Sequence, residues 1–144
     1  MQILFTTSNS ILSRLIRWST GEPVSHCAIS CGGWVIHSNL FGVHVELPQT
    51  FSSHSQIIYS VDVPYSQDKL MTTLSKYDQA GYDFGALLYL GLQAILPFLP
   101  RKNLWQTTGM FLCTEWITEV LYGGEDHMIT PYELYLRLSE REQG

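Results

Sequence analysis

Apolar and polar positions change their period about half way along the chain. The first half reads in short β-prone runs. Ile3 to Thr6 is one, and Ser8 or Ser10 then caps a helix with Ile11, Leu12, Leu15 and Ile16 on one face. Gly21-Glu22-Pro23 ends that helix. His26 to Cys31, Gly32-Gly33 and Trp34 to Ser38 predict a hairpin about a Gly-Gly turn. Gly42 to Leu47 and Ile57 to Val63 predict a third and a fourth strand, with one helical turn starting at Pro48 between them.

The second half takes a helical period. Ser66 to Ala80 puts Leu70, Met71, Leu74 and Tyr77 on one side, and Gly81 stops it. An apolar helix is expected over 84–96, then a loop from Pro97 to Gly109. A helix from about Cys113 to Tyr122 stops at Gly123-Gly124. Thr130-Pro131-Tyr132-Glu133 opens the last helix with a capping box and Pro in its first turn. The pattern predicts an α+β fold: an antiparallel sheet of about four to five strands packed against helices.

Composition narrows the partners. With 144 residues and 16.4 kDa the chain is expected to be one domain, 1–144. Hydrophobic residues at 45% and charged residues at 15% argue for a packed core. A net charge of −5 disfavours nucleic acid and anionic lipid as partners. MQILFTTSNS lacks a basic start and a long apolar stretch, so the expected place is the cytoplasm, unless a virion or another export machine carries the protein out. Phe84 to Leu99 is too short for a spanning helix and reads first as a buried one. Its other reading is an apolar face that meets a membrane or another protein.

Three cysteines make a poor disulfide framework, and no Cys/His spacing suits zinc; no metal or cofactor is expected. Cys27 and Cys31 share strand parity and read as small buried hydrophobes. Cys113 differs, because it falls at a predicted helix start. Free amides and the helix dipole there stabilise a thiolate and could bind an oxyanion. His26 and His37 lie on neighbouring strands of the predicted hairpin, where one imidazole can orient the other when their faces agree. That is the logic of a nucleophile, a base and an orienting group. His44 competes for the third place, although alternation could turn it outward.

The stretch His26-Cys-Ala-Ile-Ser-Cys-Gly-Gly-Trp-Val-Ile-His37 resembles the histidine strand pair of NlpC-type cysteine peptidases. Here the histidines precede Leu112-Cys113-Thr114-Glu115, an order that resembles the circularly permuted branch of that papain-like superfamily. Gly81-Tyr82-Asp83-Phe84 is similar to a Gly-x-x-Tyr-Asp segment of the same branch, and the likeness spans about residues 24–120. Cys27 and Ala28 depart from the usual Val and Gly, and the third catalytic position varies within the branch.

The resemblance implies a permuted papain-like fold with Cys113 as nucleophile, His26 as base and His37 as third member. It also implies supporting places for Glu115 at the helix start and Tyr82 near the oxyanion. The implied activity is acyl transfer by a cysteine hydrolase, on amide bonds of cell-wall peptides. A lipid acyltransferase or phospholipase of the lecithin:retinol acyltransferase type shares the His…His…Cys order, but its Asn-Cys-Glu-His motif is matched poorly. A third expectation is a catalytically degenerate module of a larger assembly such as a phage tail, using Trp18, Trp34, Trp105 and Trp116 as exposed aromatics.

Overall fold

The computed structural model describes residues 1–39, 42–77, 81–82, 110–111, 113–123 and 129–142. The expected apolar helix over 84–96, the loop that follows it and Trp105 lie outside the described residues. In chain order the elements are β1 (Gln2–Thr7), α1 (Ile11–Thr20), β2 (His26–Cys31), β3 (Trp34–Asn39) and β4 (Gly42–Glu46). Then come α2 (Pro48–His54), β5 (Gln56–Asp62), α3 (Gln67–Tyr77), β6 (Gly81–Tyr82), β7 (Met110–Phe111), α4 (Cys113–Tyr122) and α5 (Pro131–Glu142). The protein is an α+β fold with a five-stranded antiparallel sheet and, among the described residues, five helices.

The sheet runs β4-β3-β2-β1-β5, so the first strand of the chain lies inside it. β1 pairs with β2 through Phe5↔Cys27 and with β5 through Phe5↔Tyr59, with a register shift between Phe5 and Thr6. The β2–β3 hairpin closes on Cys31↔Trp34, leaving Gly32 and Gly33 as its two-residue turn. Their φ angles of 59° and 84° are both left-handed, as a turn matching the twist of antiparallel strands requires. This turn fixes Ala28 opposite His37.

Alternation sends the two faces of the sheet to different partners. Ile3, Phe5, Cys27, Ile29 and Ile36 pack with Leu70 of α3, Trp116, Ile117 and Val120 of α4, and Leu134 and Leu138 of α5. Leu4, Ala28 and Val35 face the other way and pack on Phe51 of α2, which is fully buried. Pro48 starts α2, as its position predicts, but the helix runs two turns because Phe51 gains this second core.

Caps mark the helix ends. Ser10, rather than Ser8, caps α1 by accepting from Ser13 N at 3.1 Å, and left-handed Gly21 ends it. Gly123, φ 78°, closes α4 by donating its N–H to Glu119 O. At α5 the capping box is complete: Thr130 Oγ1 accepts from Glu133 N at 3.1 Å, while Thr130 N donates to Glu133 Oε2 at 3.0 Å. Gly81 does not merely stop a helix, since Gly81–Tyr82 forms a short parallel pair with Met110–Phe111 just before α4. Trp116 corrects the expectation of an exposed aromatic: its ring is 1% exposed at the centre of the core, whereas Trp18 is 77% exposed.

Candidate active site

His26 is the first residue of β2, and its approach is held from two sides. Ser25 N donates to Thr6 O at 2.9 Å, and the Ser25 hydroxyl lies 2.6 Å from Ser13 Oγ on α1. His37 lies diagonally across the hairpin on the same face, so the two imidazoles meet edge to face, with His26 Nε2 3.4 Å from His37 Nδ1. Cys113 is the first residue of α4, where backbone amides lack helical partners. The Thr114 hydroxyl pins this end by donating to Ile129 O at 2.8 Å. The Cys113 thiol is 2% exposed, and Cys27 and His26 are the neighbours that lower its pKa. The structure therefore brings Cys113, His26 and His37 into one chain of contacts.

The chain continues beyond the residues that the sequence singles out. His37 Nε2 lies 2.8 Å from Glu46 Oε1, and Glu46 Oε2 lies 2.9 Å from His54 Nε2. Glu46 ends β4 and His54 ends α2. One signal for Glu46 stands in the sequence: it shares strand parity with His44, so it belongs to the face that carries His37. For His54 no such signal exists, because its place depends on how α2 folds back over the sheet.

Electrostatics give the members different charge states. Burial lowers the pKa of His37 to about 4, reinforced by His26 and opposed by the hydrogen bond to Glu46. His37 is thus neutral near pH 7, and its contact with Glu46 is an imidazole N–H donated to a carboxylate rather than an ion pair. Burial alone raises the Glu46 carboxyl, but hydrogen bonds from His54 and His37 outweigh it and leave a net lowering. The Cys113 thiol is lowered, first by the hydrogen bond from Cys27, with His26 adding to the effect against the opposing cost of burial. Cys27 is raised, chiefly by burial and then by Cys113. Of the two neighbouring thiols, Cys113 ionises first. Cys27 is therefore more than the inert hydrophobe its strand position suggests, and Cys31 is half-buried rather than buried.

The other expected residues are placed less centrally. His44 pairs opposite His37 with ring centroids 6.2 Å apart and does not alternate away from it, but it is Glu46 that bonds the far nitrogen of His37. Glu115 sits in the first turn of α4. The backbone of Tyr82 pairs with Phe111, and its side chain lies outside the described residues. A cleft of about 160 Å³ opens beside the histidines. Hydroxyls of Thr7, Ser10 and Ser25 line it with His26, His37 and His54. Cys113 does not line this cleft; His26 is the residue that touches both.

Among the described residues no group of His, Cys, Asp or Glu is arranged to hold a metal ion, and no helix is long and apolar enough to cross a membrane. No protein-family model matches the chain, and no curated protein matches it in sequence.

Proposed function

We propose that this chain is a cysteine hydrolase of permuted papain-like architecture, acting through an acyl-enzyme on amide bonds of cell-wall peptides. The observation that carries the reading is the Cys113 thiol at a helix start, lowered by Cys27 and by His26, with His26 in turn meeting His37. A lowered thiol next to an imidazole is a nucleophile beside its base. His26 takes the thiol proton, the thiolate attacks the carbonyl carbon, and the backbone at the start of α4 receives the oxyanion. Collapse of the tetrahedral intermediate passes the proton from His26 to the leaving nitrogen. Water, activated by the same imidazole, then releases the acyl group.

The test uses purified stem peptides of peptidoglycan, with cleavage followed by mass spectrometry. Cleavage by the wild type, and none by a folded Cys113→Ala variant, is the expected result. Equal cleavage by both proteins overturns the reading.

One observation favours the lipid alternative. Ile11 (85% exposed), Leu15 (50%) and Trp18 (77%) form an outward apolar stripe on α1, whose other side contributes Leu12 and Ile16 to the cleft. A helix of this kind suits the edge of an apolar substrate phase. Labelled phospholipid separates the two readings, because a long-chain acyl adduct on Cys113 belongs only to the lipid chemistry.

A further inference from the structure

We propose that Glu46 is a positioning residue that fixes, through His37, which nitrogen of His26 is free to take the proton of Cys113. The inference rests on the reading of Cys113 as nucleophile and His26 as base, and extends it to a carboxylate two imidazoles away from the sulfur.

The argument follows the donors and acceptors. A carboxylate oxygen only accepts, so Glu46 Oε1 at 2.8 Å places a proton on His37 Nε2. The His37 ring is 4% exposed and neutral near pH 7, so it carries one proton and leaves Nδ1 as a lone pair. That lone pair accepts from His26 Nε2, 3.4 Å away. His26 is then protonated on Nε2, and Nδ1 is the nitrogen left for the thiol. The carboxylate thus sets a direction along the whole row, from Glu46 through His37 and His26 to Cys113. When Cys113 gives up its proton, His26 Nδ1 gains it. The Nε2–H stays on His26 as a donor to His37, while His37 and Glu46 keep their own protonation states.

Glu46 is itself anchored. Its second oxygen accepts from His54 Nε2 at 2.9 Å, so the carboxylate is held at both ends between the last residue of α2 and the buried ring of β3. The groups that face His37 are His26 of β2, His44 and Glu46 of β4, and His54 of α2. Only Glu46 among them is a pure acceptor. Removing it frees His37 to protonate Nδ1, which sets two N–H groups against each other at the His26 contact. His26 must then turn its lone pair toward His37 and its proton toward the sulfur, the wrong arrangement for a base.

Long-range proton–nitrogen NMR on nitrogen-15-labelled protein at pH 7 reads the tautomers directly. In the wild type the expected His37 form carries its proton on Nε2 and none on Nδ1. Protonation of Nδ1 in the wild type overturns the proposal. Glu46→Ala is expected to mix the two tautomers, and Glu46→Gln, whose amide oxygen still accepts from Nε2–H, to restore the wild-type form. An unchanged tautomer in Glu46→Ala also overturns it.

Alkylation by iodoacetamide, mapped peptide by peptide, adds a readout independent of substrate. Glu46→Ala is expected to slow reaction at Cys113 roughly 10- to 100-fold at pH 7, by analogy with the loss of the hydrogen-bonding partner of a metal-bound histidine. It also moves the pH inflection of that reaction upward, while Cys31 serves as the internal reference. Reaction at the wild-type rate overturns the role of Glu46. A wild-type Cys113 no more reactive than the similarly buried Cys27 overturns the nucleophile reading instead, and the tautomer spectrum still decides for Glu46.

Discussion

His37 is held among Phe51, His26 and His44, with Glu46 on its far nitrogen. Such a ring resists a second proton, and this links it to stability. Its pKa is about 4 in the fold against an ordinary 6.5, so the unfolded chain binds more protons between these values. Stability is complete above pH 6.5 and falls as the pH drops toward 4, by ~3 kcal/mol at most. Glu46, lowered from 4.5, extends the loss in the same direction at more acidic pH. Urea unfolding between pH 4 and 8 is expected to show this slope, and His37→Gln to flatten the part between 4 and 6.5. At this scale the sequence is most informative about types. Cys113 at a helix start and two histidines on facing strands are readable from position, whereas Cys27 as a donor to Cys113 is not, because a strand cysteine beside apolar residues reads as packing.

The elements were the most legible part of the chain wherever a local signal ended them. Thr130, Pro131 and Glu133 announce α5, and Gly123 closes α4. Edges without such signals moved: β1 reaches Thr7 and takes two partners, and α2 gains a turn from its own small core. The cap of α5 also does something no local pattern reports, since Thr130 Oγ1 donates to Glu22 Oε1 at 2.8 Å and ties this helix to the end of α1. Thr130→Ala is expected to destabilise the protein by about 1–2 kcal/mol, the upper part of the range for losing an N-cap. Thr130→Ser, which keeps the hydroxyl, should recover most of it. Denaturant midpoints at a constant slope give the comparison.

In the whole molecule His26 and Cys113 come from distant parts of the chain, and the sheet with its helices is what joins them. The five-stranded order places β2 beside β1, and α4 covers that region through Trp116 and Ile117. Sequence could predict a sheet and helices, but not that Phe5, Cys27 and Trp116 would share one core, because those contacts are long-range. Thiol labelling offers a test at this scale. Cys31 is half-buried and should react in native protein, whereas Cys27, 0% exposed, should react only as fast as the fold opens. Addition of urea below the unfolding midpoint is expected to accelerate Cys27 and leave Cys31 nearly unchanged. Equal rates at both thiols in the absence of denaturant would contradict the packing of the central strands.

The two-glycine turn between β2 and β3 gives the row of histidines a kind of combination lock. With Cys31 opposite Trp34 and Ala28 opposite His37, the ring of His37 emerges on the side of His26 because the loop holds two residues. One residue added there shifts the pairing by a step and turns His37 toward α3, α4 and α5, away from Glu46, while its letter in the sequence stays the same. A relative could keep every histidine and cysteine and still leave the row unassembled for want of the right loop length. Spelling alone is therefore a poor guide to which descendants of such a chain keep the row of histidines together; the count between the letters carries as much of the message.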